Sequence, residues 1–370
     1  MPESATPDSA QTLWVGTRKG LFVAQRTGAG WRLGKPRFPG EPVSQFLANP
    51  FDGAWYAALR LGHFGVKLWK SADGGAQWNE VAAPAFPPKP AEGPWKDDPT
   101  PWTVDQVWAL EASPDGRLWA GCLPAGLFTS DDGGASWQLV RSLWDRPERK
   151  EWMGGGYDFP GIHSVLVDPR DAKHVTVAIS CGGVWQSHDG GESWANTSAG
   201  MVADFMPPER REDPNIQDVH RVDQCASQPD VLWSQHHGGI FRSSDGGRRW
   251  HAIHSPQPSG FGFAVAAHPL DPQRAWFVPA HSDAQRMAVD GRVVVTHTQD
   301  GGANFSVHGK GLPQQDAWHL VYRHGLVSDK TGATLAMGST SGGLWVSEDG
   351  GDTWRCISRD LPPVAVLRLG

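Results

Sequence analysis

The chain has 370 residues, a formal net charge of −7 and a pI near 6.1, so it lacks the basic surface that nucleic-acid binding requires. No stretch is apolar for long enough to span a membrane, and the polar start lacks the apolar run of a secretory signal. The four cysteines are too few and too scattered for a disulfide framework. We therefore expect a cytoplasmic, reduced protein without a nucleic-acid or membrane partner, with residues 1–11 flexible.

The predicted elements come in short groups of strands along the chain. The first group comprises strands over residues 12–17, 20–24 and 31–33, and the second comprises residues 43–48, 54–59, 66–70 and 78–82. Later groups repeat the four-strand plan, with turn signals between short alternating or apolar runs. The first group lacks an innermost strand, which residues 364–369 can supply.

One eight-residue pattern, Ser/Thr-x-Asp-Gly-Gly-x-x-Trp/Phe, precedes the last strand of nearly every group. Its six copies occupy residues 71–78, 130–137, 187–194, 243–250, 298–305 and 347–354, and a degenerate copy covers residues 24–31. The glycine pair predicts a tight turn with positive φ, which the Ser and Asp side chains can hydrogen-bond. A unit that recurs about every fifty residues is typical of a solenoid or a propeller.

These repeats predict an all-β, single-domain, seven-bladed β-propeller of four-stranded antiparallel blades. Pairing of the C-terminal strand with the N-terminal blade closes the propeller and removes the two free sheet edges. We refer to each copy of the eight-residue pattern as a box turn. Its Asp is expected to be structural, because carboxylates spaced around a propeller cannot meet at one substrate.

The box turn resembles the Asp-box, or bacterial neuraminidase repeat, of sialidases, xyloglucanases, sortilin-type receptors and the photosystem II assembly-factor propellers. The resemblance covers nearly the whole chain and implies the propeller fold. It does not imply one activity, since these families share the turn and not a reaction.

Four insertions lengthen the repeats, at residues 84–103, 142–160, 197–217 and 280–291. In an up-and-down blade these connections open on the face opposite the box turns. Because long loops on a rigid scaffold often carry function, we expect a small-molecule or glycan ligand at the mouth of the central channel on this face.

Histidines recur at this predicted mouth. His163, His220 and His319 occupy aligned positions of innermost strands, and His236 ends a second strand. Neutral imidazoles from different strands can each give one nitrogen to a divalent metal such as Zn, Fe, Cu or Mn. The pattern predicts a metal-assisted enzyme, a hydrolase or an oxygen-using enzyme, with these four histidines as ligands.

Carboxylates and aromatic rings supply the remaining candidates. The predicted catalytic residues are Tyr157, Asp158, Asp218 and Asp316. The predicted substrate-binding residues are Trp108, Trp152, Phe263, Arg18, Arg60 and His281. Two alternatives stay open: a metal-free glycoside hydrolase that works through loop carboxylates, and a non-catalytic scaffold whose insertions grip a protein partner.

Overall fold

The computed structural model describes residues 9–370 of the chain. Residues 1–8 of the stretch predicted to be flexible lie outside this range. Within it, the Ala10 N–H donates to Asp329 Oδ2 at 3.0 Å and the Gln11 N–H donates to the Gly370 carbonyl at 2.9 Å. No helix between residues 9 and 370 combines the length and the apolar character needed to cross a membrane.

The described chain forms seven four-stranded antiparallel sheets, so the predicted seven-bladed β-propeller is confirmed. The first fifteen strands are β1 Thr12–Thr17, β2 Gly20–Thr27, β3 Gly30–Leu33, β4 Val43–Ala48, β5 Trp55–Arg60, β6 Val66–Ser71, β7 Asn79–Val81, β8 Gln106–Ala112, β9 Leu118–Leu123, β10 Leu127–Ser130, β11 Gln138–Leu139, β12 Ile162–Asp168, β13 Asp171–Ile179, β14 Gly183–Ser187 and β15 Ala195–Asn196.

Thirteen further strands complete the sheets. They are β16 Val219–Gln224, β17 Leu232–His236, β18 Gly239–Ser243, β19 His251–Ile253, β20 Gly262–Ala267, β21 Ala275–Pro279, β22 Val295–Thr298, β23 Ser306–His308, β24 Leu326–Ser328, β25 Leu335–Gly338, β26 Leu344–Ser347, β27 Arg355–Ser358 and β28 Val364–Leu369. Six sheets take four successive strands from β4 onward, and the remaining sheet has the order β28-β1-β2-β3.

Helical structure is confined to connections between strands. One short α-helix, α1, covers Arg141–Trp144, and 3-10 turns cover Gly62–Phe64, Pro147–Glu151, Pro208–Arg210, Pro214–Ile216 and Val289–Gly291. Most of these segments lie in or beside the predicted insertions.

Each box turn is held by its own side chains. In the copy at residues 187–194, the Gly191 N–H donates to Ser187 Oγ at 2.8 Å, and Ser187 Oγ donates to Asp189 Oδ1 at 2.7 Å. Asp189 also accepts the Ser193 N–H at 2.9 Å, and these hydrogen bonds, led by those from Ser193, lower the pKa of Asp189 to about 2. Both glycines of all six copies have positive φ, so the predicted role of the glycine pair is confirmed.

The chain divides by its internal contacts into two compact units. Unit 2 comprises residues 40–222 and 247–250, and unit 1 comprises, of the described residues, 9–39, 223–246 and 251–370. Within unit 1, the C-terminal strand β28 pairs antiparallel with β1, from Leu13 opposite Leu369 to Thr17 opposite Val364. The predicted closure by the C-terminal strand is thus confirmed. The prediction of a single domain stays a prediction.

Apolar side chains of successive blades pack together within each unit. In unit 2 one core cluster includes Trp119, Ile162 and Trp185, and in unit 1 another includes Trp276 and Trp345, all at most 2% exposed. Large aromatic rings of this kind contribute much of the area buried in a core.

Candidate functional site

The three insertions of unit 2 contact one another in series. Arg149 Nη2 lies 2.7 Å from Asp98 Oδ2 and links residues 142–160 to residues 84–103. Arg210 Nη2 lies 3.5 Å from Glu151 Oε2 and links residues 197–217 to the same segment. We call these three segments the insertion layer. These two contacts bring the long loops of this unit together.

Arg149 fixes the layer from inside. Its guanidinium carbon lies 4.0 Å from the ring centroid of Trp95 and 3.8 Å from that of Trp144, and its Nε donates to the Trp144 carbonyl at 2.7 Å. Burial raises the pKa of the Asp98 carboxyl, but hydrogen bonds from Arg149 and Thr100 and the nearby guanidinium charge outweigh burial and leave that pKa below its usual value. Asp98 and Arg149 thus form a buried ion pair that anchors the layer, with the rings of Trp95 and Trp144 against the guanidinium.

Beyond this anchor, the glycine-rich loop at residues 152–160 reaches the predicted carboxylate Asp218. A Cβ added at Gly155 would lie 2.8 Å from Asp218 Oδ1 and 3.0 Å from Ser180 Cβ. Only glycine allows the loop backbone to come this close to the carboxylate. Asp218 is 6% exposed and directly precedes β16, so a strand end holds it in place.

Aromatic rings border the same loop. Tyr157 is 39% exposed and meets Trp108 edge-on, with ring centroids 5.1 Å apart, and Trp108 meets His163 in the same way at 5.6 Å. Asp158, the next residue, is exposed. The structure therefore brings Trp108, Tyr157 and His163 together, beside the loop that carries Asp158 and packs on Asp218.

The histidines of unit 2 are engaged by the protein itself. His163 Nε2 lies 2.7 Å from the Val219 carbonyl, and its Nδ1 lies 3.0 Å from Ser164 Oγ. With both nitrogens in hydrogen bonds, metal ligation by His163 is not favoured, because it would cost one of these contacts. His220 Nε2 lies 3.5 Å from Asp218 Oδ2, and its role as a ligand stays a prediction.

The predicted ligand His236 of unit 1 ends β17 and contacts the turn that follows it. It is fully buried, and its Nδ1 accepts the Gly238 N–H at 2.9 Å. In the neutral ring Nε2 then carries the proton, so neither nitrogen offers a lone pair to a metal. This geometry does not favour a metal role for His236, which stays a prediction.

The alignment that selected His319 is wrong by five residues. The His268 N–H donates to the Arg274 carbonyl after β20, and the Asp329 N–H donates to the Thr334 carbonyl after β24. Because these two turns are equivalent, the residue before β24 that aligns with Phe263 of β20 is His324 and not His319. His319 lies in the loop before β24, where burial lowers its pKa and Nδ1 lies 2.9 Å from Ser339 Oγ. Its neutral imidazole is compatible with metal ligation, which stays a prediction.

Two aromatic rings that were predicted to bind substrate belong to the core. Trp152 is 6% exposed and packs on Trp185, with ring centroids 5.6 Å apart. Phe263 is 2% exposed and lies between Tyr322 and the guanidinium groups of Arg286 and Arg323. Both side chains are packed inside the protein, and their role in substrate binding stays a prediction. Trp318, at 66% exposed, is an accessible loop tryptophan that was not among the predicted substrate-binding residues.

The remaining candidates lie apart along the chain. In unit 2, Arg60 is half-buried and its Nη2 lies 2.7 Å from Asp105 Oδ2. In unit 1, Arg18, His281 and Asp316 are exposed, and Asp316 has a positive φ of 48°. A positive φ is unusual for a residue with a side chain and often accompanies functional loops. No contact described here joins these three residues to one another.

Comparison with known proteins supports the fold more than the chemistry. No known protein-family profile matches the chain. A xyloglucanase of a Paenibacillus species is 25% identical over 187 residues, which make up 50% of this chain and 16% of that protein. An oligoxyloglucan-reducing end-specific xyloglucanase of Emericella nidulans is 35% identical over 79 residues, 21% of this chain and 9% of that protein. The matches therefore span less than a fifth of either relative.

Solved structures share the fold of this chain. The crystal structure of a GH74 enzyme from Niastella koreensis superposes with a TM-score of 0.60 at 14% identity, covering 95% of this chain and 55% of that chain. The shared feature is the propeller. At this identity the likeness concerns the fold alone, so the residues of the site have to be judged by their own geometry.

Proposed function

We propose that this propeller is a glycoside hydrolase that acts on a glycan at the insertion layer of unit 2, with Asp218 and Asp158 as its two carboxylates. The observation that carries the proposal is the contact of the loop at residues 152–160 with Asp218 through Gly155. The similarity to proteins named as xyloglucanases supports the choice of a glycan as the substrate class.

The local chemistry suits cleavage of a glycosidic bond. Such cleavage needs one carboxyl group to protonate the leaving oxygen and another to activate water or form a covalent intermediate. Asp158 is exposed and can meet solvent water, whereas Asp218 is buried at the end of a fixed connection. We therefore assign proton donation to Asp218 and water activation to Asp158, with Tyr157 as an aromatic surface for a sugar ring.

The test is release of reducing ends from xyloglucan and from other plant β-glucans. Asp218→Asn and Asp158→Asn should each lower kcat/KM by about 10²-fold or more. Asp204→Asn, which removes an exposed carboxylate of the adjacent insertion, is the matched control and should retain activity. Absence of hydrolysis by the wild-type protein on every glycan, or full activity of Asp218→Asn, would contradict the proposal.

Two further experiments test the role of Asp218 and the metal-assisted alternative. If Asp218 protonates the leaving group, Asp218→Asn should lose much less activity on an aryl glycoside with an acidic leaving group, because that group departs without a proton. Treatment with a chelator distinguishes the metal-assisted alternative. Unchanged hydrolysis supports the carboxylate pair, and a loss that added Zn, Fe, Cu or Mn restores would favour the metal.

A further inference from the structure

A second group of side chains lies in unit 1, at the box turn of residues 347–354. One ligand-type atom from each of His297, His308 and Asp352 lies within 4.8 Å of the others. His297 belongs to β22 and His308 ends β23, where Ser306 pairs with His297. Since His308 is two residues beyond Ser306, both imidazoles are on the same face of the sheet.

The hydrogen bonds around His308 determine which of its nitrogens carries the proton. The Ser306 hydroxyl oxygen lies 3.3 Å from the His297 carbonyl and 2.7 Å from His308 Nε2; when its proton goes to the carbonyl, this oxygen accepts from Nε2. Nδ1 of the neutral ring is then left with a lone pair. That nitrogen lies 3.4 Å from Asp352 Oδ1.

In the tautomer with the proton on Nε2, the Nδ1 lone pair faces this carboxylate oxygen, an arrangement that a cation between the two atoms would stabilise. Two donor atoms bound at about 2.0 to 2.1 Å in a tetrahedral site are themselves about 3.3 to 3.4 Å apart. The separation of Nδ1 and Oδ1 therefore matches one edge of a zinc-type coordination sphere. The contact from Nε2 to Ser306 is the kind of outer hydrogen bond that orients metal-binding histidines.

His297 supplies the third ligand-type group. It is 2% exposed, and neither of its ring nitrogens has a hydrogen-bond partner among residues 9–370. Such a buried polar group costs free energy unless something satisfies it.

We propose that His297, His308 and Asp352 form a site for a divalent transition metal of the zinc class, which joins β23 to the box turn of the next blade. The nitrogen and oxygen donors favour zinc, copper or nickel over magnesium or calcium. His297 would be the third ligand of this site. The Asp352 side chain is 60% exposed, so water can fill the fourth position. The site is independent of the proposed hydrolase function.

The experiment measures zinc binding to the full chain at pH 7.5 by equilibrium dialysis with elemental analysis. The wild-type protein should bind one equivalent that His308→Ala and Asp352→Asn each weaken at least tenfold. Ser306→Ala should weaken binding about 10- to 100-fold by releasing the His308 ring. Zinc should also raise the unfolding temperature of the wild-type protein but not of Asp352→Asn.

Glu192→Gln is the matched control, because Glu192 holds the same box-turn position in the third complete copy of the turn, at residues 187–194. It should bind zinc like the wild-type protein. The proposal is overturned if the wild-type chain binds no zinc at about 100 µM free metal, a concentration at which zinc sites of even moderate affinity fill. It is equally overturned if the His308 and Asp352 variants bind as tightly as the wild type, since the metal would then be elsewhere.

Discussion

Replacement of Arg149 by Met should destabilise the protein strongly. The Asp98 carboxylate, whose side chain is 5% exposed, would lose its charged partner in a buried position. Breaking a buried ion pair from one side costs about 3 to 5 kcal/mol. Loss of the stacked guanidinium between Trp95 and Trp144 adds about 1 kcal/mol, since the Met side chain keeps part of the packing. We therefore expect a loss of about 4 to 6 kcal/mol.

Thermal unfolding measures the effect. An unfolding entropy of about 2.1 cal/mol/K per residue gives about 0.8 kcal/mol/K for the whole chain, so the midpoint should fall by about 5 to 8 °C. Lys67→Met is the matched control. It breaks the exposed pair with Glu80, whose side chains are 40% and 45% exposed, and should cost at most about 1 kcal/mol.

The pH dependence gives an independent check. The folded-state pKa of Asp98 is lowered, so its stabilising contribution is present above the unfolded pKa and is lost as the pH falls through the folded value. The gap in stability between wild type and Arg149→Met should therefore narrow below about pH 4. Asp98→Asn in the Arg149→Met background should recover part of the loss. A midpoint change no larger than that of Lys67→Met would refute the reasoning.

Two further predictions concern glycine and serine positions. Ser187→Ala removes the acceptor of the buried Gly191 N–H and should cost about 1 to 3 kcal/mol in chemical denaturation; an unchanged midpoint would show that water replaces the hydroxyl. Gly155→Ala places a methyl group against Asp218 and should lower kcat/KM on a glycan at least tenfold, as expected for a small displacement of a reacting group. Gly28→Ala, where a Cβ meets no atom within 4 Å, should have wild-type activity.

The fold could be predicted because its signals are local and periodic. The box turn at residues 187–194 is held by hydrogen bonds within its own eight residues, so its sequence alone describes its geometry. The bounds of β1, β4 and β28 agree with the predicted strands. The alignment failed at β24 because Lys330 stands where Pro50, Pro114, Pro169 and Pro269 follow four of the other innermost strands.

The site was less predictable because it depends on contacts between distant parts of the chain. Asp98 and Arg149 are 51 residues apart, and no spacing rule pairs them. Exposure is equally hidden from sequence, which is why Trp152 was predicted to bind substrate although it packs in the core. His297 and His308 become neighbours only through the register of β22 and β23, a register that the periodic pattern alone did not specify.

The pairing of β28 with β1 has a consequence for biosynthesis. A ribosome that adds about 5 to 20 residues per second takes about 20 to 70 s between emergence of these two strands. Throughout that interval β1 presents unsatisfied backbone groups and the apolar side chains of Leu13 and Val15, which the finished protein buries completely. The nascent chain thus carries an unpaired strand edge at β1 until β28 has left the ribosome, and chaperones would protect this edge during that period.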